Sequence, residues 1–168
     1  MSLQIFTDGA WSPGGRGGWA YVVVKNDVEI ERGQGCAHDV THQRMEIRAV
    51  AEALLAAPRD VPVEMIGDSA YVYDCFRDEW HVKWENNGWK NYSKKPVKNR
   101  DEWERLFAAW RARDAATTWK RIKGHDGDRW NELADRLAVE AKSLEPLAHV
   151  SKVADLSAKR TRQARRGR

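Results

Sequence analysis

The chain has 168 residues, 42% of them apolar, and a formal charge of +4. That length suits one ordinary domain plus an extension, with enough apolar mass for a sizeable core. No run is long and apolar enough to span a bilayer, and the N-terminus enters a strand without a basic-then-apolar leader, so a cytoplasmic protein without membrane partners is expected. The charge is unevenly placed. Residues 157–168 carry six basic residues and no acid, and without them 23 basic residues face 25 acidic ones. The high pI therefore belongs to the tail. Cys36 and Cys75 lie far apart without ligand spacing and read as buried small apolar groups rather than a disulfide or metal site.

In chain order, residues 2–7 read as a strand ending at Asp8. A Gly/Pro-rich loop is expected over 9–18. Residues 19–24, Trp-Ala-Tyr-Val-Val-Val, are strongly β-prone. Asn26-Asp27 reads as a hairpin turn and 28–36 as the returning strand. Thr41 caps a helix over about 42–57, with Met45, Ala49, Ala53 and Leu54 near helical spacing and Pro58 at its end. Residues 61–67 form a short strand running into Asp68-Ser69, and a helix follows over 69–78. Residues 79–98, rich in Trp, Lys and Asn, have no clear period. Asp101 opens a helix over about 100–114. Residues 117–122 form a strand, 124–127 a turn, and about 128–143 a helix with the stripe Trp130, Leu133, Ala134, Leu137, Ala138 and Ala141. Beyond Glu145-Pro146 the apolar pattern thins to a short amphipathic turn around Leu147–Leu156, and disorder is expected from about 157. The order β-β-β-α-β-α-(irregular)-α-β-α makes an α/β fold with a central mixed sheet flanked by helices.

Four acids stand where chemistry can gather. Asp8 and Asp68 end strands, Glu46 lies early in the first long helix, and Asp135 lies in the last helix; strand ends and neighbouring helices can share one crevice. Four carboxylates together repel unless cations are bound. Oxygen donors without a His/Cys cluster favour Mg²⁺ or Mn²⁺ over zinc, and two such ions about 4 Å apart support phosphodiester hydrolysis. Each acid also has a plainer reading: Asp68-Ser69 suits a helix cap and Asp135 a solvated helix flank. The combination carries the functional reading.

The chain resembles the bacterial type 1 ribonuclease H family. The resemblance rests on Phe6-Thr7-Asp8-Gly9-Ala10, Arg44-Met45-Glu46, Asp68-Ser69-Ala70-Tyr71-Val72, Gly88-Trp89-Lys90, Lys94-Lys95-Pro96-Val97-Lys98-Asn99, Lys123-Gly124-His125 and Asn131-Glu132-Leu133-Ala134-Asp135-Arg136-Leu137-Ala138. They occur in family order over about residues 2–142. The resemblance implies a ribonuclease H-like fold with a five-stranded mixed sheet. It implies Mg²⁺-dependent endonucleolytic cutting of the RNA strand of RNA/DNA hybrids by two ions, leaving 5′-phosphate and 3′-hydroxyl ends. Asp8, Glu46, Asp68 and Asp135 match the family's metal-binding acids and His125 its catalytic histidine. On residue type alone His125 reads as a surface histidine; an imidazole near neutral pKa can also shuttle a proton. Asn131, one turn before Asp135, is placed to orient it or to meet substrate. The expected domains are a catalytic unit over 1–143 and an extension over 144–168.

Trp80, Trp84 and Trp89 interleave with Lys83, Lys90, Lys94, Lys95 and Lys98, and Glu85 is the one acid across 80–100. This pattern suits a protrusion whose tryptophans anchor it while its lysines meet phosphates; the alternative is a solvated loop. The resemblance favours a basic protrusion holding the DNA strand. Thr41 and Arg44 suit either a phosphate seat at a helix start or a cap and a surface charge. His42-Gln43 stands where paired asparagines are common in the family, Ala70 where a glutamine is common, and the first loop is a residue short. Contacts to ribose 2′-hydroxyls are expected there. No obligate protein partner is evident, and a monomer is the simplest expectation. The Arg-rich tail adds attraction to nucleic acid or is a dispensable solvated end. Two other readings compete: a 3′–5′ exonuclease of the same fold, disfavoured because Gly9-Ala10 follows Asp8, and a non-catalytic duplex-binding module, which has no need of all four acids.

Overall fold

The computed structural model describes residues 2–144 and 149–152. Three antiparallel strands open the chain: β1 (Leu3–Ser12), β2 (Arg16–Lys25) and β3 (Val28–Ala37). Helix α1 (His42–Ala56) leads to β4 (Val63–Gly67), then α2 (Ala70–Arg77), α3 (Trp80–Asn87) and α4 (Arg100–Arg111). Strand β5 (Thr117–Arg121), α5 (Arg129–Ala141) and β6 (His149–Lys152) follow. The sheet order is β5-β4-β1-β2-β3-β6, with β4 parallel to both β1 and β5 and the other pairs antiparallel. The expected five-stranded mixed sheet is there, and β6 extends it at the β3 edge.

Alternation along the strands divides the sheet between two cores. Ile5, Tyr21 and Val23 face the larger one, filled by Met45, Ile47 and Leu54 of α1 and by Trp103, Leu106 and Phe107 of α4. Phe6, Ala20, Val22 and Val24 face the smaller one, closed by Leu133, Ala134, Leu137 and Ala138 of α5. A period of two on the strands thus meets a period of 3.6 on the helices.

Three sequence expectations need correction. The Gly/Pro-rich loop is much shorter than 9–18, because β1 runs to Ser12 and β2 starts at Arg16. Gly17 and Gly18 are strand residues, and a Cβ on Gly18 would collide with the Ala138 carbonyl of α5. These glycines allow close approach of a helix rather than a turn. Asp101 does not open α4: Asn99 does, in a left-handed conformation (φ 60°), and the Asp101 carboxylate reaches instead to Arg44. Within the expected turn around Leu147–Leu156, His149–Lys152 is a strand paired with Glu31–Gln34, which satisfies backbone groups that an edge strand would leave open. The disorder expected from 157 lies outside the described residues.

Residues 79–98, which have no clear period in the sequence, form α3 and a tight loop bridged at Lys90 and Pro96. Their tryptophans, Trp80, Trp84 and Trp89, are half-buried anchors. Trp84 stacks on Trp89 with centroids 5.7 Å apart and meets Trp103 edge-on at 5.2 Å. Ion pairs tie α1 to α4: Arg44 is bidentate to Asp101 (2.9 and 2.5 Å), and Arg48 pairs with the buried Glu102.

Gly18→Ala is expected to destabilise the protein by about 1–3 kcal/mol, the usual cost of overpacking, through displacement of α5. Urea denaturation checks this, and an unchanged midpoint would contradict the close helix–strand contact.

Candidate active site

The β1–β4 ladder pairs Leu3 with Val63 through Phe6 with Ile66. Two residues further along this parallel register, Asp8 comes level with Asp68. Asp8 is therefore a mid-strand residue on β1, just past the last β4 pair, and not a strand-end residue as its sequence context suggests. Asp68 follows β4, and Ser69 rather than Asp68 caps α2, its hydroxyl accepting from the Val72 N–H at 3.3 Å. Glu46 enters from the second turn of α1. That helix comes this close because residue 9 is glycine: a Cβ there would lie 2.5 Å from the Glu46 nitrogen. Thr41 caps α1, accepting from the Arg44 N–H at 3.3 Å.

Carboxylate oxygens of Asp8, Glu46 and Asp68 all lie within 4.8 Å of one another. Asp8 and Glu46 are buried and Asp68 is half-buried. Asp135, half-buried on α5, stands outside this tight group but acts on it: its charge raises the pKa of both Asp8 and Asp68. Burial first, then the charges of Glu46 and Asp68, push the Asp8 carboxyl up to about 9, against a hydrogen bond from the Gly9 N–H (2.8 Å) that holds it down. Asp68 is raised by burial and then by Glu46, while the Asn131 side chain opposes this with a hydrogen bond. Asn131 thus bears on Asp68, across the crevice from its own helix. It is buried, and its Oδ1 has no hydrogen-bond partner among the described residues.

Other contacts around the acids join residues far apart in sequence. His42 Nε2 lies 2.9 Å from the Gly9 carbonyl oxygen and 3.2 Å from Glu46 Oε1, so it bridges β1 to α1 at the acids. Its hydrogen bond to Glu46 raises its pKa to about 9. Gly124 packs on Asp68, where a Cβ would sit 2.6 Å from Oδ2. The next residue, His125, is exposed at a left-handed backbone position (φ 56°). Thr7 and Tyr73 share a buried 2.8 Å hydrogen bond beneath the cluster. Arg44 pairs with Asp101, with Asn99 at 3.5 Å. Gln43 is exposed. On the protrusion, Lys83, Lys90, Lys94, Lys95 and Lys98 are all exposed, whereas Trp80, Trp84 and Trp89 are half-buried.

An all-oxygen cluster of mutually repelling carboxylates fits a hard divalent cation, which relieves the repulsion. A sequence profile of the family described as RNase H matches residues 1–143.

The chain belongs to the ribonuclease H family.

The Ribonuclease H of Rhizobium johnstonii is 44% identical to it over 145 residues, covering 86% of this chain and 92% of that one. Among solved structures, LC9-RNase H1, a type 1 RNase H with the type 2 active-site motif, superposes with a TM-score of 0.72 at 23% identity, covering 99% of this chain and 85% of that chain. A foamy viral protease-reverse transcriptase in complex with RNA/DNA hybrid gives 0.68 at 24% identity, covering 84% of this chain and 20% of that chain. The ribonuclease H fold therefore accounts for the mixed sheet and its flanking helices.

The raised pKa values set a pH signature for the metal-free ribonuclease H. Asp8 keeps its proton when folded up to about 9 but loses it near 3.8 when unfolded, so stability falls as pH rises through that interval. The His42–Glu46 contribution is fully present below 6.5 and is lost as pH rises through about 9, in the same direction. Thermal melts in chelator should show a falling Tm with rising pH. Asp8→Asn should flatten that slope and raise the alkaline Tm by about 2–4 °C, the shift roughly 1 kcal/mol gives a domain of this size.

Proposed function

We infer that this protein is an endonuclease that hydrolyses the RNA strand of RNA/DNA hybrids, leaving 5′-phosphate and 3′-hydroxyl ends. The observation that carries the reading is the set of three carboxylates within 4.8 Å, in a chain whose residues 1–143 match the ribonuclease H family. Those residues form the proposed catalytic unit, with 144–168 as its extension.

Asp8, Glu46 and Asp68, with Asp135 beside them, are the proposed metal-binding residues. Two Mg²⁺ ions held there, or Mn²⁺ in their place, would supply water activation and charge neutralisation at the scissile phosphate. The chain's own groups fix that geometry. The Gly9 N–H orients Asp8, Asn131 and Gly124 confine Asp68, and His42 pins the start of α1 to β1 beside Glu46. His125, exposed beside Gly124, is the proposed proton carrier that speeds turnover. Thr41, His42 and Gln43 line the α1 entrance, where ribose and phosphate contacts are proposed.

Lys83, Lys90, Lys94, Lys95 and Lys98 are proposed to hold phosphates of the DNA strand, on a base that Trp80, Trp84 and Trp89 fasten to the core. Arg44 supports the site through α4, since its guanidinium is paired with Asp101. No described helix is long and apolar enough to cross a membrane; a cytoplasmic monomer is the proposed working form. The exonuclease and binding-module readings are not favoured, because Gly9-Ala10 follows Asp8 and all four acids are present.

Asp8→Asn is expected to abolish cleavage of a labelled hybrid while gel-shift affinity stays within about twofold, because lysine–phosphate contacts carry affinity. With Mg²⁺, the protein should cut RNA/DNA and leave RNA/RNA and DNA/DNA intact; activity in Asp8→Asn would refute the site. His125→Ala should lower kcat by roughly 10²-fold, the lower end of general acid–base contributions, with KM little changed. The double variant Lys94→Ala/Lys95→Ala should reduce the slope of log affinity against log salt by about 2, nearly one per lost phosphate contact.

A further inference from the structure

The tip of the protrusion carries an aromatic ring that the packing does not use. Tyr92 is fully exposed, at 104%, whereas the three tryptophans of the same segment are half-buried anchors. The backbone beneath it is well fixed. The Asn91 side-chain oxygen accepts from the Ser93 and Lys95 N–H groups at 3.0 Å each, and the Asn91 N–H donates to the Lys95 carbonyl at 2.8 Å. Asn87 clamps both sides of Lys90, accepting from its N–H at 2.9 Å and donating to its carbonyl at 3.0 Å. The loop therefore presents the ring without having to order itself on binding.

Between this loop and α3 lies a groove of about 460 Å³, lined by Trp80, Trp84, Tyr92, Lys83 and Lys90 together with the two asparagines, and by no carboxylate. Aromatic faces flanked by ammonium groups suit a nucleobase with its phosphates. Bases inside a duplex are stacked on one another and offer edges, not faces, so a free aromatic face selects an unpaired base.

We propose that Tyr92, with this groove, forms a stacking site for an unpaired base where the DNA strand of a hybrid continues as single-stranded DNA. The protein then holds the junction between hybrid and single strand more tightly than a blunt hybrid. The inference rests on the hybrid-binding reading above. It needs no change in the acids, which act on the RNA strand.

The test uses the full-length Asp8→Asn protein, which binds without cutting, and measures Kd by fluorescence anisotropy at one salt concentration. The probes are a blunt hybrid, the same hybrid with a 3′ or a 5′ extension of single-stranded DNA, and one with an RNA extension. A DNA extension of one polarity should tighten binding roughly 5- to 100-fold over the blunt hybrid, the range of one stacked base. Tyr92→Ala should remove this ratio and Tyr92→Phe should retain it; full exposure of the side chain leaves folding out of the comparison. Equal affinity for blunt and extended hybrids, an equal gain from the RNA extension, or a gain that survives Tyr92→Ala overturns the stacking site and leaves hybrid recognition standing. Failure to bind the blunt hybrid overturns both.

Discussion

The structure depends on forcing negative charges together. Asp8, Glu46 and Asp68 repel one another in a half-dry crevice, and each pair would relax outward if the backbone allowed it. What prevents this is close approach of main chain. Gly9 lets α1 lie against β1, the parallel β1–β4 register sets Asp8 level with Asp68, and Gly124 closes over Asp68. The cost shows as raised carboxyl pKa values, which is strain of an electrostatic kind stored at a site and offset by the packed cores on either side. A divalent cation converts that repulsion into binding energy, so the same geometry that weakens the metal-free protein makes it receptive to metal.

Much of this was legible in the residues. The β-prone strands, the apolar stripes of α1 and α5, the Thr41 cap and the Asn26-Asp27 turn all follow from local rules, because one buried face dominates each element. Asp8, Glu46 and Asp68 could be singled out by their combination and by the motifs around them, since each acid alone suits a cap, a turn or a surface charge equally well. Errors arose where one residue type serves two purposes. Gly17 and Gly18 look like loop residues, yet they sit in β2 because a side chain there would meet Met45 of α1 at Gly17 and the Ala138 carbonyl of α5 at Gly18. Asp101 looks like a helix opener, yet its charge is used across the α1–α4 contact.

Other features had no local signal at all. The His42 bridge to the Gly9 carbonyl joins residues 33 apart in sequence, and only the fold brings them together. The same holds for Asn131 and Asp68, which lie on elements from opposite halves of the chain. Strand β6 is short, and its reason for existing is the open edge of β3 rather than any pattern of its own. The Lys/Trp segment had no period because its tryptophans answer to different neighbours: Trp80 to Trp84, Trp84 to Trp103, and Trp89 to Phe107.

The ion pairs between α1 and α4 have a mechanical meaning. Arg44 and Arg48, on either side of Glu46, grip Asp101 and Glu102, and α4 in turn carries Trp103, on which Trp84 rests. The carboxylate of Glu46 and the root of the lysine-bearing arm therefore belong to one stiff girder. The proposed metal site and the proposed phosphate grip are thus set at a spacing built into the scaffold, as a fixed jig sets a workpiece.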